Sequence, residues 1–278
     1  LTRAGAALFP PATVLLSRAF WFARDHPGPV IGLGFLGAAP TAALLLLLIR
    51  EAHESWLAPG AVSALLPLSF GVAAVFFLRF PLRLALARWM AQESRGEPAS
   101  VPSASLFGLV HLPTALFYGG LSTLGWLLGA VFAVPLILAF QGTLALHRFA
   151  ATDLSAWAAL QDARQIPVGA LGLKLLGAAL VLTAALFLVL WTTPQALLGL
   201  AEWLFRADVI ALREVLGVTS PPWGAAALVL AGSAVELLWT LAFGLVSADW
   251  QRLAAGSDLA AALDVLEARG SGAAEAFD

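Results

Sequence analysis

The sequence contains no cysteine. Disulfides, zinc–thiolate sites and thiol nucleophiles are therefore excluded. It contains no asparagine, and so no N-glycosylation acceptor. Charge is scarce too: Asp, Glu, Lys and Arg make up 12% of the chain, against roughly a quarter in soluble domains. Lys174 is the sole lysine, and the net charge is -2. No basic patch marks a nucleic-acid partner. Several catalytic signatures are also missing: His-Glu-x-x-His, Gly-x-Ser-x-Gly, a phosphate-binding loop and paired intramembrane aspartates. No catalytic residue, metal ligand set or cofactor is assigned from the sequence.

Hydrophobic residues are abundant, at 60% of 278. A chain this apolar cannot cover itself with a polar surface in water, whereas a lipid-facing surface needs no such cover. A spanning helix takes about 20 apolar residues at ~1.5 Å each. On that measure the sequence predicts an all-α, polytopic transmembrane bundle. Six spans are expected, at 29–49, 60–78, 105–123, 125–146, 167–191 and 223–246. The third and fourth come from one uncharged stretch, 98–147, that is too long for one helix; a tight turn is expected between Gly119-Gly120 and Gly125. The chain divides into an N-terminal segment 1–28, a membrane domain 29–248 and a C-terminal segment 249–278 with one short helix and a tail.

Arginine placement gives the orientation. With both ends in the cytoplasm, eleven arginines lie inside and three outside, as the positive-inside rule expects. The composition, with arginine far above lysine and much Ala, Leu and Gly, points to a bacterial inner membrane. No cleavable signal peptide is expected, because the first apolar run begins near Pro29 and is too long for one. Residues 11–24 read as an interfacial amphipathic helix on the inner leaflet. Arg18 and Arg24 there, with Arg79, Arg83 and Arg88 on a continuation of the second span, are expected to contact lipid phosphates. Residues 195–216 read as an outer amphipathic segment.

Two glycine patterns are expected to serve helix packing. Gly32, Gly34 and Gly37 have the spacing of a dinucleotide-binding loop, but no strand precedes them and they fall inside an apolar span. Gly125 and Gly129 form a small-xxx-small pair. Pro40, Pro67, Pro113 and Pro135 should kink spans or mark their ends. The most informative polar set is Lys174, Glu236, Gln141 and His111, at similar inner depths. Lys174 lies ~9 Å and Glu236 ~15 Å from the inner ends of their spans. Charges so placed must pair, or face water or a partner. Lys174 with Glu236 is the expected pair.

The order of features from Pro81 to Ala179 resembles a known family. An amphipathic exit helix, Leu84 to Gly96, ends in Gly-Glu-Pro. A helical pair ends at Val-Pro-Leu-Ile-Leu. A short helix, Ala156 to Arg164, enters the fifth span. This resembles the bacterial six-span family named after the membrane domain of glycerophosphoryl diester phosphodiesterases. Ala159-Leu160 matches that family's Ala-Leu-x-x-Ser-Trp motif, and Ala163-Arg164 stand at its Ser-Trp positions. The resemblance implies an accessory membrane protein without catalytic residues, since the phosphodiesterase activity belongs to a separate soluble domain.

Three functions are compatible with these readings. The favoured one is a non-enzymatic accessory or scaffold subunit, whose partners are the lipid bilayer and other membrane-protein subunits. The second is a small transporter or channel component with a path along Lys174, Glu236 and Gln141. The third is an intramembrane lipid-modifying enzyme using Glu236, His111 and Asp249. Whether Glu236 faces a cavity or a dry helix contact separates the first two.

Overall fold

The computed structural model describes residues 10–35, 47–48, 51–52, 61–129, 136–152, 154–166, 169–205, 208–216, 221–254 and 256. Among these, every regular element is helical. Helix α1 is Ala12–Asp25, and α2, Pro27–Pro29, runs straight into a π-helical stretch, Val30–Phe35. Then follow α3 (Ala61–Ser94), α4 (Val101–Val110), α5 (Leu112–Gly129) and α6 (Leu136–Ala151). The last described helices are α7 (Ala156–Gln165), α8 (Gly169–Phe205), α9 (Ile210–Leu216) and α10 (Pro221–Ala254). Among the described residues, three helical stretches are long and apolar enough to cross a membrane: Leu65–Ser94, Gly169–Phe205 and Trp223–Leu253. A fourth is added if the bent pair Val101–Val110 and Leu112–Gly125 counts as one span. Most of the first expected span, 29–49, and the C-terminal helix expected from Ser257 to Arg269 lie outside the described residues.

Local chemistry sets the helix ends. Ser100 and Ser155 precede α4 and α7, and each side-chain oxygen accepts a backbone N–H of the first turn, from Ser103 and Ala158. These bonds satisfy donors that the helix itself cannot. Gly96 follows the end of α3, and its φ of 69° turns the chain in a left-handed conformation that suits glycine. Between α4 and α5 the axis turns by 81° at His111. Pro113 explains the break, since its ring nitrogen has no proton for the carbonyl four residues back and its ring clashes with that carbonyl.

Helix α6 is the centre of the bundle. Leu144 to Ala150 are all buried, and α3, α5, α7 and α10 surround it. Helix α10 faces the core with Val235, Trp239, Ala242, Phe243 and Val246, the spacing of one helical stripe. The opposite surfaces are apolar as well: Phe70 on α3 is 69% exposed and Val181 on α8 is 71% exposed. Patches of this kind are rare on proteins that face only water.

Several expectations are corrected. Helix α5 runs unbroken through Gly119, Gly120 and Gly125, so the turn expected there is absent, and the spans set at 105–123 and 125–146 become α4–α5 and α6. Gly119 and Gly125 serve packing. A Cβ on Gly119 would strike the ring of Phe80, and one on Gly125 would strike the backbone of Ala139. Close approach of α5 to α3 and α6 is their use. Gly34 likewise admits Leu237, whereas the Cβ position of Gly32 is open. Gly129 ends α5, and Gly37 lies outside the described residues.

The fifth span, set at 167–191, continues as α8 through Pro194 to Phe205. Ala196-Leu197-Leu198 are strong helix formers and no capping residue stops the helix at Trp191. The outer segment expected at 195–216 is therefore split. Its first half ends α8 and its second half, α9, folds back. Arg213 bonds Glu202 at 2.6 Å, and the Gln195 amide donates to the Leu216 carbonyl. The N-terminal helix α1 buries Ala12, Leu15 and Ala19 and packs on α10 and α8.

Candidate functional site

The second half of α3 carries Phe80, Leu84, Ala85, Leu86 and Ala87 into the core. The same stretch brings Arg79 and Arg83 inward. One helical turn separates them, so both fall on one face. That face meets α10 at Glu236. Arg83 forms an ion pair with Glu236, and the Arg79 Nη1 atom lies 3.7 Å from Glu236 Oε2. Arg79 also stacks over the Phe80 ring, with its guanidinium 5.2 Å from the ring centre. Glu236 is thirteen residues from Trp223, or ~20 Å along the axis, and so lies near the middle of the apolar stretch Trp223–Leu253. Arg79 lies equally near the middle of Leu65–Ser94.

These three side chains are not sealed. Arg79, Arg83 and Glu236 retain 22%, 20% and 33% exposure. They open into a cavity of about 610 Å³ between α3, α5, α6, α8 and α10. Its walls are apolar, formed by Leu176, Ala179, Leu180, Val235 and Trp239. Ser122, Thr123, Thr143 and Thr183 add hydroxyl groups. Thr143 donates its proton to the Ala139 carbonyl at 2.9 Å and Thr183 to the Ala179 carbonyl at 2.8 Å. Both therefore offer the cavity lone pairs more readily than protons. Leu180, 63% exposed, stands at the rim, so the cavity reaches the apolar outer surface of the bundle. A charged floor, apolar walls and a side opening together suit an amphiphilic ligand.

The expected polar set is only partly assembled. Glu236 belongs to the site. Lys174 is exposed on α8, and neither it nor Gln141, half-buried on α6, lines the cavity. The expected Lys174–Glu236 pairing gives way to the arginines, because the buried face of α8 is built from Gly172, Leu175 and Ala179 and turns Lys174 outward. His111 sits at the α4–α5 corner, its Nδ1 3.0 Å from the Phe107 carbonyl oxygen and its ring against Phe107 and Phe149. Helix α6 continues past the expected end at 146 to Ala151 and buries His147 beside Gly244.

The arginines expected at lipid phosphates divide into two groups. Arg79 and Arg83 turn into the bundle. Arg18 and Arg24 lie nearer the surface, Arg88 is half-buried, and each has a partner. Arg18 bonds both oxygens of Asp249, at 2.8 and 3.2 Å, and so pins α1 to the end of α10. That hydrogen bond raises the Arg18 pKa further above its ordinary value, against an opposing desolvation effect. Arg24 lies over the Trp21 ring, and Arg88 donates to the Ala150 carbonyl at 2.9 Å while stacking on Phe107. Sequence reasoning missed the ion pair of Arg148 with Asp162, which ties α6 to α7. It had one signal for the inward pair: Arg79 and Arg83 share a helix face, and a lone mid-span carboxylate requires a cation. Among the described residues no group of three or more His, Asp or Glu could hold a metal ion.

This arrangement predicts unequal costs for two charge removals. Arg83→Gln should lower the thermal stability of the purified protein, toward the low end of the ~3–5 kcal/mol for breaking a buried pair, because Arg79 remains beside Glu236. Lys174→Gln should change stability by less than ~0.5 kcal/mol. Thermal unfolding in one detergent compares them, and equal losses would contradict the assignment.

No protein-family model, curated protein or solved structure matches the chain. The functional reading therefore rests on this geometry.

Proposed function

We propose that the protein is a non-enzymatic, multi-pass membrane protein that binds an amphiphile of the bilayer in the cavity floored by Arg79, Arg83 and Glu236. It acts as a carrier or transport component for that amphiphile. One observation carries the reading: Glu236 faces a cavity that reaches the apolar surface, not a dry helix contact. Buried charges that only orient helices need no open volume beside them, whereas a ligand path does. The transporter alternative is favoured for that reason, with Arg79 and Arg83 replacing Lys174 and Gln141 along the path. The lipid-enzyme reading is weaker, because His111 and Asp249 lie apart from Glu236, in contact with Phe107 and Arg18.

In this reading the six-span, N-in bundle sits in a bacterial inner membrane, with α1 at the inner surface. The accessory-subunit reading, which the family resemblance also suggests, draws on Gly120, Gly177 and Gly199. Their Cβ positions are open on outward-lying parts of α5 and α8, where a partner helix could approach.

Purification in mild detergent, followed by mass spectrometry of bound lipids and proteins, tests both readings. Wild type should retain lipid. Ala179→Trp, which fills the cavity, should cut retention several-fold, while Leu188→Trp on the exposed face of α8 should not. Equal retention in all three would sink the cavity reading. A stoichiometric protein partner would favour the accessory reading.

Orientation is read separately, and the cysteine-free chain makes this direct. A thiol reagent that does not cross membranes should label Asp208→Cys from outside in intact cells, and Ser94→Cys only after the membrane is opened. The reverse pattern would invert the topology.

A further inference from the structure

We infer that the cavity selects amphiphiles whose headgroup carries both an anionic phosphate and a primary ammonium group. This selectivity rests on the amphiphile-binding reading above and names its ligand class. Arg83 and Glu236 form an ion pair, and both also line the cavity with part of their side chains exposed. A headgroup of one sign meets such a pair badly. A lone phosphate gains at Arg83 and is repelled by Glu236, and a lone ammonium meets the reverse. Opening the pair to admit either would take a charged group from its partner in an apolar setting, which is costly. A zwitterion avoids both penalties. Its phosphate lies against the open edge of Arg83 and its ammonium against Glu236, so the ion pair stays intact and the four charges alternate in sign. The guanidinium suits the first contact, because its planar fork of N–H donors fits an oxyanion.

The hydroxyl groups of the cavity decide the kind of ammonium. Thr143 and Thr183 give their protons to the carbonyls of Ala139 and Ala179, so each oxygen is left as an acceptor. Both line the same cavity as the Glu236 carboxylate, which accepts only. A primary ammonium brings three N–H donors to such a set. A quaternary ammonium brings none. The apolar walls, Leu176, Ala179 and Val235 among them, take an acyl chain that leaves past Leu180 toward the lipid. Free phosphoethanolamine shares the headgroup chemistry. It would have to shed its water against those walls, with no chain whose burial offsets that cost. A lipid source is therefore favoured.

The experiment is a competition titration of the purified, delipidated full chain, read by native mass spectrometry. The probes are phosphatidylethanolamine, phosphatidylcholine and phosphatidic acid with the same acyl chains, and free phosphoethanolamine. Phosphatidylethanolamine should bind more tightly than either other lipid by about tenfold, the ratio that one charge-assisted hydrogen bond supplies. Glu236→Gln should shift the ratio of phosphatidylethanolamine to phosphatidic acid several-fold toward phosphatidic acid, since the ammonium loses its carboxylate and the phosphate loses a repulsion. Thr183→Val should narrow the preference over phosphatidylcholine. These readouts are ratios within one sample, so a fall in the folded fraction does not produce them. Equal binding of the three lipids would overturn this inference and leave the amphiphile reading standing. Phosphatidic acid binding as tightly as phosphatidylethanolamine, or an unchanged ratio in Glu236→Gln, would overturn the zwitterion. Phosphatidylcholine binding as tightly would overturn the role of the N–H donors. Free phosphoethanolamine binding as tightly as the lipid would overturn the lipid source. Binding of no lipid would remove the underlying reading as well.

Discussion

A carboxylate near the middle of an apolar helix has to be neutralised, and much of this structure follows from how Glu236 meets that requirement. Its partners stand on α3, so α3 and α10 are held in one register at the depth of Arg83. Ionised groups lose several kcal/mol each on leaving water, and recover it only with good geometry and further hydrogen bonds. The two helices must therefore approach closely and hold their angle. Gly34 admits Leu237 of α10, the residue next to Glu236. Gly119 admits Phe80, the residue next to Arg79. Small residues thus flank both sides of the ion pair, where close approach is needed.

The same constraint explains why a cavity stands here. Full burial of Arg79, Arg83 and Glu236 in a medium of low polarity would cost each of them its hydration. An opening relieves that cost by giving water or a ligand access to the charged groups. Helix α8 supplies the far wall with small and aliphatic residues, Ala179 and Leu180, and with Thr183, whose hydroxyl is already satisfied. The outcome is polar at depth and apolar toward the rim. That order is the reverse of a surface binding site and suits a molecule entering from the bilayer.

Much of the architecture was legible in the sequence. Long apolar runs translate directly into α3, α8 and α10, because helix length against membrane thickness is a one-dimensional property. Glu236 was legible for a similar reason: a carboxylate in an apolar run needs an explanation wherever its partner lies. The partner itself was not. Arg79 and Arg83 follow an apolar run and look like arginines at a membrane surface, and only the burial of Leu84 to Ala87 after them shows that the helix is still inside the bundle. Gly119, Gly120 and Gly125 could signal either a turn or a close contact, and that choice is made by Phe80 and Ala139 on other helices. The bond from Arg18 to Asp249 joins residues far apart in the chain, and no local pattern announces it. The bend at His111 had a visible cause in Pro113, but apolarity alone carried the expected span straight across it.

Exchange of the two charges tests the central claim most directly. Arg83→Glu and Glu236→Arg each place like charges together and should strongly lower the thermal stability of the purified protein. Combined in one chain, they restore opposite charges across the same α3–α10 contact. The account predicts that the double variant recovers much of what either single change loses, a coupling of ~0.5–3 kcal/mol. Losses that simply add in the double variant would show that Arg83 and Glu236 do not hold these helices together.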